Sequence, residues 1–343
     1  MKYEVTIGIP LFKAVDYIKR SLMSALEQSF PSIEFMIVDD CGEDGSMDIV
    51  ESLKESHVRG NDIHVIKNPQ NLGVGYSRNR IIEEAQGRYL YFMDSDDTIE
   101  PYTIHLLVEK IQQHHAQIAY GSYEIVDEIQ HIPTRQYVKP SMLLYGEGEL
   151  AMYAFKYKDV FHFSVCNSLM ETEFLRQTEM RFVDASFWED MVFTLGLVTK
   201  VRCAVMLSNV TYHYLRHPGS LSHYQNREQF DKDEIMKNVG TINYLKQSSI
   251  YLKDKHYFPD LCLYLEMNSF YIVCHILKQY HRIFPRITYS EMRQIVRHPI
   301  QLYDILQFKH KLLQNLLMWA LGVLPIPAFK PSIWLLGKIK RAI

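Results

Sequence analysis

The stretch "VTIGIPLFKAVDYIKRSLMSALEQSFPSIEFMIVDD", residues 5 to 40, decides the fold class because it changes its hydrophobic period twice. Residues 5–9 and 33–38 are short apolar runs, which are typical of buried strands. Between them, apolar residues from Val15 to Leu26 recur at helical spacing. A strand, a helix and a second strand in succession indicate one unit of a parallel sheet.

The alternation continues to about residue 93. The pattern predicts helices over 46–55, which Ser46 could cap, and over 74–86. It predicts strands over 63–66 and 88–93. We therefore expect an α/β fold in which helices flank a mixed, mainly parallel sheet.

The pattern beyond residue 100 is mixed, with a predicted helix near 102–114 and predicted strands near 117–123 and 201–210. After about residue 226 the sequence becomes helical and rich in aromatic residues. We predict a catalytic domain over residues 1–225 and a helical region over residues 226–343.

Composition narrows the class of protein. The chain has 343 residues, 47% of them hydrophobic, and a net charge of -3, so it lacks the basic footprint of a nucleic-acid-binding protein. Its five cysteines have no paired spacing, which argues against a zinc site or a disulfide framework and favours a reducing compartment. The N-terminus lacks the features of a signal peptide, so a cytoplasmic location is expected.

Three carboxylates end the fourth predicted strand in "YLYFMDSDDTIEP", residues 89 to 101. Asp94, Ser95, Asp96 and Asp97 fit three interpretations. They could form a solvated turn that caps the next helix, or bind Mg²⁺ or Mn²⁺ together with substrate phosphates. They could also supply a carboxylate pair for hydrolysis, although adjacent residues on one turn are poorly oriented for that reaction.

Polar residues also follow the neighbouring strands. Asp39 and Asp40, in "MIVDDCGEDGS", could accept hydrogen bonds from a nucleobase imide or a ribose hydroxyl. The segment "NPQNLGVGYSRNR", residues 68–80, leads into a helix and contains Arg78, whose planar guanidinium suits a phosphate or a base edge. Since ligands of such sheets bind at the carboxyl ends of the strands, these residues predict a crevice for a nucleoside diphosphate and a divalent cation.

The sequence resembles the family 2 glycosyltransferases. The resemblance is carried by three segments in this order: the strand that ends in paired aspartates, the "NLGVGYSRNR" loop and "GRYLYFMDSDD". Members of this family are inverting enzymes of the GT-A fold, which is Rossmann-like, and they use nucleotide-activated sugars. The sequence departs from the family pattern at Pro10-Leu11-Phe12-Lys13 and at Cys41-Gly42-Glu43-Asp44.

The resemblance implies a role for each matching residue. Asp39, Asp40 and Arg78 correspond to readers of uracil or ribose, and Asp96 corresponds to the principal ligand of Mn²⁺ or Mg²⁺. Further metal ligands are expected among Asp94, Asp97 and His213. The remaining expected contacts of the nucleotide sugar are Pro10, Phe12, Asn71, Gly73, Asp94, Ser95, Trp188, Arg216 and Ser222.

The segment "FVDASFWEDMVFTLGLV", residues 182–198, contains an acidic pair at the start of a helical pattern. Such acids often compensate a helix dipole. The resemblance instead implies that Asp190 is the catalytic base and that Glu189 orients it or touches the acceptor. Trp188 could stack on a sugar ring or pack in the core.

The segment "TYHYLRHPGSLSHY", residues 211–224, resembles the family's mobile loop, which folds over the diphosphate. Arg216 and Ser222 are the expected phosphate contacts. His213 or His217 could complete the metal shell, or could be a structural hydrogen-bonding residue.

Residues 312–329 carry no charge and reach the lower limit of a membrane span. Polar residues and prolines interrupt them, and a basic segment follows, which favours an amphipathic helix lying in the membrane plane. A helix that packs within the protein or in a dimer is the alternative.

These features predict an enzyme that transfers a hexosyl or N-acetylhexosaminyl group from a nucleoside-diphosphate sugar, such as a UDP-sugar. The expected acceptor is a hydroxyl of a surface polysaccharide or lipid-linked glycan, reached through peripheral contact with the cytoplasmic face of the inner membrane. The alternatives are a sugar nucleotidyltransferase and a catalytically silent glycan-binding or nucleotide-binding scaffold of the same fold.

Overall fold

The computed structural model describes residues 2–127, 132–157, 161–183, 188–217 and 228–342. Its contacts divide the chain into two compact units. The first comprises residues 1–150, 159–184 and 189–223, and the second comprises residues 151–158, 185–188 and 224–343.

The first unit is built on one mixed sheet. Its strands are β1 (Tyr3–Leu11), β2 (Ile33–Asp39), β3 (Ile63–Lys67), β4 (Gly87–Phe92), β5 (Thr98–Ile99), β6 (Ile118–Asp127), β7 (Pro133–Tyr137), β8 (Met142–Tyr145), β9 (Ser168–Glu171) and β10 (Cys203–Arg216). Its helices are α1 (Ile18–Leu26), α2 (Ser46–Ser56), α3 (Val74–Glu84), α4 (Thr103–His114), α6 (Thr172–Gln177) and α7 (Glu189–Val198), while α5 (Glu149–Lys156) begins in the first unit and ends in the second.

The strand order is β3-β2-β1-β4-β9-β6-β10-β5, with β7 paired to β6 and β8 paired to β10. Strands β3, β2, β1 and β4 are parallel to one another, and β6 is parallel to β10. Strand β9 is antiparallel to both β4 and β6, and β5 is antiparallel to β10. The predicted mixed sheet flanked by helices is confirmed. The short strands β5, β7, β8 and β9 were not predicted, because two to five residues give too few repeats to show a period.

The core of the first unit explains why the strands read as continuous apolar runs. Side chains of β1, β2 and β4 are buried on both faces, and α1 and α4 pack on one of those faces. Gly87 opens β4 where a Cβ would lie 2.3 Å from the backbone nitrogen of Thr6, so only glycine lets β4 approach β1 there.

One predicted cap is wrong. Gly45, with φ of 89°, is the N-cap of α2, and Ser46 is the first helical residue. The Ser46 hydroxyl donates to Asp44 Oδ1 at 2.6 Å and accepts from the Ala14 N–H at 3.0 Å. Ser46 therefore ties the loop after β1 to α2.

The second unit is helical. It contains β11 (Phe230–Asp231), α8 (Lys232–Ser248), α9 (Phe258–Lys278), β12 (Ile283–Phe284), α10 (Tyr289–Ile295), α11 (Leu302–Ile305), α12 (Leu312–Val323) and α13 (Ile326–Ile339). The α9 helix forms the centre of an apolar core, against which α8, α10, α12 and α13 pack.

Two buried polar groups fix helices of this unit to one another. Lys246 Nζ lies 2.7 Å from Glu266 Oε1 and donates to the carbonyls of Ile295 and Arg297 at the end of α10. Asn315, predicted to interrupt an apolar helix, is fully buried and donates to the Pro259 carbonyl at 3.1 Å. Among the described residues, no helix combines the length and the apolar character needed to cross a bilayer.

Candidate active site

The centre of the site is the guanidinium of Arg78, on α3. It donates to Asp94 Oδ1 and to Glu189 Oε1, at 2.8 Å in each case, and only 4% of Arg78 is exposed. Burial alone would lower the pKa of Arg78, but the charges of Asp94 and Glu189 raise it above its usual value. Arg78 is therefore a permanent cation that joins the end of β4 to the start of α7.

Asp190 follows Glu189 on α7, and the charges of Arg78 and Asp94 act on it as well. Burial and the neighbouring Glu189 raise the pKa of Asp190 to about 7, although Arg78 acts in the opposite direction. One carboxylate oxygen accepts the N–H of Met191 at 2.7 Å. A carboxylate with a pKa near neutrality is suited to accept a proton at physiological pH.

Asp96 faces His217, just beyond the end of β10. Asp96 Oδ2 lies 2.9 Å from His217 Nε2, and the ring of Tyr17 packs on the imidazole with a centroid distance of 4.3 Å. Burial and then Asp94 raise the pKa of Asp96, while His217 lowers it. The histidine that accompanies the predicted metal ligand is thus His217.

The structure corrects the expectation for His213. Its two ring nitrogens lie 2.9 Å from Glu124 Oε1 and 2.9 Å from Glu100 Oε1. Tyr212, the preceding residue on β10, instead donates its hydroxyl to Asp97 at 2.6 Å. Since successive side chains of a strand point to opposite faces, His213 faces away from the aspartate cluster and borders a separate cavity of about 250 Å³.

Asp97 is a structural residue, which corrects its assignment as a metal ligand. Its two oxygens accept the Tyr212 hydroxyl and the Leu215 N–H, at 2.6 and 2.7 Å, and its exposure is 1%. Burial, followed by Asp96 and Asp94, raises its pKa well above the usual range. Neither Asp97 nor Ser95 caps α4, which begins at Thr103 without a side-chain cap.

A further group of predicted site residues lies at the ends of β2 and β3. Asp40 accepts three hydrogen bonds, from Asn68 Nδ2 and from the N–H groups of Leu72 and Gly73, at 2.7 to 2.9 Å. Asp39 accepts the N–H of Cys41 with one oxygen only, among the described residues. Asp40 therefore positions the loop, which differs from its predicted role as a direct reader, and Asp39 keeps an oxygen for a ligand.

The other predicted contacts occupy varied positions. Pro10 lies in β1 and pairs with Val38, whereas the Phe12 side chain just after β1 is 42% exposed. Asn71 Oδ1 accepts the Gly73 N–H at 3.2 Å, and Gly73 has a φ of 87°, a backbone conformation that favours glycine. Ser95 is half-buried beside Asp94.

Trp188 precedes α7 with a left-handed φ of 65°, which is unusual for a bulky residue. Arg216 is an exposed residue at the end of β10. Ser222 lies outside the described residues.

Sequence reasoning missed three residues that support the site: Tyr212, Asn68 and Cys166. The backbone of Cys166 forms an isolated β-bridge with Phe92 at the end of β4. Burial and Asp94 raise the pKa of the Cys166 thiol. Of these three, only Asn68 could have been found from the sequence, because it is a polar residue that directly follows β3.

The aspartates fit a divalent cation only in part. Asp94 and Asp96 offer hard carboxylate oxygens, while Asp97 is buried and both of its oxygens already accept hydrogen bonds from the protein. Within the described ranges, no group of three or more His, Cys, Asp or Glu side chains is arranged to hold a metal ion. This donor set suits Mg²⁺ or Mn²⁺ bound by one or two carboxylates together with the phosphates of a ligand.

Comparison with known proteins places this geometry in context. The family model described as "Glycosyl transferase family 2" matches residues 6–178. A segment of 122 residues is 34% identical to TuaG of Bacillus subtilis, a glycosyltransferase named for teichuronic acid biosynthesis, and covers 36% of this chain and 47% of TuaG. The succinoglycan biosynthesis protein ExoO of Rhizobium meliloti is 29% identical over 66% of this chain and 65% of its own length. The chain thus spans less than two thirds of both relatives.

Another relative is WfaP of Escherichia coli, a "UDP-Glc:alpha-D-GlcNAc-diphosphoundecaprenol beta-1,3-glucosyltransferase", 28% identical over 69% of this chain and 86% of WfaP. Among solved structures, residues 1–349 of TarS from S. aureus in complex with UDP-GlcNAc align with a TM-score of 0.64. That alignment covers 93% of this chain and 90% of the TarS chain at 16% identity, which shows a shared fold.

Proposed function

Because this chain belongs to glycosyltransferase family 2, we propose that it transfers a sugar from a nucleoside-diphosphate sugar to a glycan hydroxyl with inversion at the anomeric carbon. UDP is the proposed nucleotide, since TarS was solved with UDP-GlcNAc and with UDP, and WfaP is named for UDP-Glc. The proposed acceptor belongs to a surface polysaccharide or lipid-linked glycan, the class of product for which ExoO and WfaP are named.

The contact that supports this proposal most directly is the bridge from Arg78 to Asp94 and Glu189. One buried cation orients a carboxylate at the donor end of β4 and a carboxylate beside Asp190 on α7. Inverting transfer needs a donor site and a base on opposite sides of the anomeric carbon. The bridge holds both parts at a fixed separation.

Each residue then has a chemical task. Asp39 binds the base or ribose, and the loop that Asp40 holds supports the nucleotide. Asp96, with Asp94, would hold Mn²⁺ or Mg²⁺ against the diphosphate, and the cation would stabilise the negative charge of the leaving nucleotide. Asp190 accepts the proton of the acceptor hydroxyl, while Glu189, held by Arg78, keeps the start of α7 in place.

Calorimetry with UDP, with and without Mn²⁺, tests the donor site. The wild-type protein should bind UDP at least about tenfold more tightly with Mn²⁺, because a cation held by Asp94 and Asp96 would offset the repulsion between these carboxylates and the diphosphate. The Asp96→Asn variant should lose this enhancement, since its amide is a poor ligand for the cation. The Asp48→Asn variant, which changes an exposed aspartate of α2, serves as the control and should behave like the wild type.

Two outcomes would count against the proposal. If UDP binds neither with Mn²⁺ nor with Mg²⁺, the protein is not a UDP-dependent enzyme. Binding of UDP without transfer from any sugar nucleotide in a panel would instead identify a silent scaffold.

We also propose that the second unit contacts an anionic membrane surface through α12 and α13. Leu313 and Leu317, one turn apart on α12, are 78% and 53% exposed, and Leu335 and Ile339 repeat this spacing on α13 at 61% and 64%. Residues 305–343 contain no acidic residue and six basic ones, namely Lys309, Lys311, Lys330, Lys338, Lys340 and Arg341. Exposed apolar strips with basic flanks favour binding to anionic lipid headgroups.

Vesicle flotation tests this contact. The protein should float with vesicles that contain phosphatidylglycerol, and the double variant Leu313→Gln, Leu317→Gln should lose most of that binding because its apolar contact with the bilayer is removed. Tyr251→Gln removes another exposed apolar side chain of the same unit and is the control. Equal flotation of the double variant and the wild type, or a stable dimer in place of flotation, would contradict the proposal.

A further inference from the structure

Two cations flank a pair of stacked aromatic rings at the β6–β7 edge of the first unit. The rings of Tyr123 and Tyr137 are 4.8 Å apart and nearly parallel, and His162 meets both edge-on. Lys139 Nζ lies 5.5 Å from the centre of the Tyr123 ring, and Arg135 Cζ lies 4.6 Å from that of Tyr137. We call Tyr123, Tyr137, Lys139 and Arg135 the cation–ring cluster.

Lys139 is unusual because it is a buried cation that has no acidic partner among the described residues. Its exposure is 5%, and burial lowers its pKa to about 8. For the part of the chain that the structure describes, neither Lys139 nor Arg135 forms an ion pair with a carboxylate. A buried charge is costly unless an opposite charge compensates it, so this site favours an anionic ligand.

The cluster lies close to the aspartates of the candidate active site. Tyr123 on β6 is the register partner of Tyr212 on β10, and the two strands are parallel, so both side chains stand on the same face of the sheet. The Tyr212 hydroxyl donates to Asp97 at 2.6 Å. Neighbouring strands are about 4.8 Å apart, so a short oligosaccharide that enters the active site can reach the cluster.

The strand order separates the cluster from the nucleotide side. Asp39 and Asp40 follow β2, which lies on one side of β1 and β4, whereas β6 lies on the other side. A ligand of the cluster would therefore be on the side opposite the nucleotide. If the nucleotide binds beside β2 as proposed, this side of the sheet is the one left for the acceptor.

We propose that the cation–ring cluster is a subsite for an anionic group, a carboxylate or a phosphate, on the acceptor glycan. This inference rests on the proposed function, since it assumes that the aspartate site transfers a sugar to a glycan. Lys139 binds the anion at the edge of the aromatic pair, and Arg135 provides a second, exposed cation. The subsite selects acidic glycans over neutral ones.

Binding of small charged and neutral probes tests the subsite. Methyl β-D-glucuronide and methyl β-D-glucoside differ only in the carboxylate, and glucose 6-phosphate and glucose differ only in the phosphate. In calorimetry, the wild-type protein should bind at least one charged probe roughly tenfold more tightly than its neutral match. A preference confined to one pair identifies the anion as carboxylate or phosphate.

The Lys139→Met variant should lose this preference, and Lys139→Arg should keep most of it. Lys237→Met removes an exposed lysine of α8 and is the matched control. Arg135→Gln changes an exposed side chain, so it tests the subsite even if Lys139→Met does not fold. This variant should bind the charged probes more weakly and the neutral probes as the wild type does.

The outcomes separate this inference from the proposed function. Equal binding of charged and neutral probes by a wild-type protein that binds UDP would overturn the subsite and leave the transferase intact. A preference that survives both Lys139→Met and Arg135→Gln would also overturn it. If the wild-type protein does not bind UDP but prefers the charged probes, and that preference depends on Lys139, only the proposed transferase activity would be overturned.

Discussion

The Asp190→Asn variant is expected to lose transfer by about 10²–10⁴-fold while it keeps its affinity for UDP. An amide cannot accept the acceptor's proton, but it preserves the size of the side chain. In addition, Asp190 lies on α7, whereas Asp39 and the loop that Asp40 holds, which are the proposed nucleotide contacts, follow β2 and β3. Initial rates with a sugar nucleotide and a glycan acceptor, together with calorimetry with UDP, measure the two effects separately.

The pH dependence gives an independent test of the same residue. Because the pKa of Asp190 is raised to about 7, its carboxylate is protonated in acid and becomes an active base only as the pH rises through that value. The rate of the wild-type enzyme should therefore fall below pH 7, and the residual rate of Asp190→Asn should lack this dependence. An unchanged turnover in Asp190→Asn would refute the assignment of the base.

The Arg78→Met variant is expected to lose both stability and donor binding. Methionine fills much of the same volume, but Asp94, Glu189 and Asp190 would then lie near one another without a cation. Removing one partner of a buried ion pair typically costs about 3–5 kcal/mol. Urea denaturation should show a lower free energy of unfolding, and calorimetry should show weaker binding of UDP.

Arg80→Met provides the matched control on the same helix. Arg80 is less buried and donates to the Lys67 carbonyl and Asn68 Oδ1, so its loss should cost far less. The Arg78→Lys variant keeps the charge but cannot donate in a planar fork to two carboxylates, and it should fall between the wild type and Arg78→Met. Equal stabilities of Arg78→Met and Arg80→Met would show that the bridge contributes little.

The sequence predicted the parallel half of the sheet because its strands are continuous apolar runs that alternate with segments of helical spacing. The same reasoning brought Asp39, Asp40, Arg78 and Asp94 to one edge, since carboxyl ends of parallel strands lie together. It failed where partners come from distant segments. The choice between His213 and His217 depends on where β10 ends, because His213 lies within the strand and His217 follows it. An irregular register near Val210 also hides the side-chain directions from the sequence.

Asp97 shows a second limit of sequence reasoning. The "DSDD" motif contains three aspartates that the sequence does not distinguish, and only the fold assigns them different partners. Asp97 turns inward to Tyr212 and Leu215, while Asp94 and Asp96 keep part of their surface exposed. The sequence did not indicate that Lys139 is buried, because an isolated lysine is usually a surface residue.

The three hydrogen bonds that Asp40 accepts have a consequence for the rate and strength of nucleotide capture. They hold the backbone of residues 72 and 73 and the side chain of Asn68 in place before any ligand arrives. Ordering a loop during association costs free energy and slows the encounter, and a preorganised loop avoids both. A nucleotide that binds as proposed would therefore meet a loop that is already ordered in the free protein.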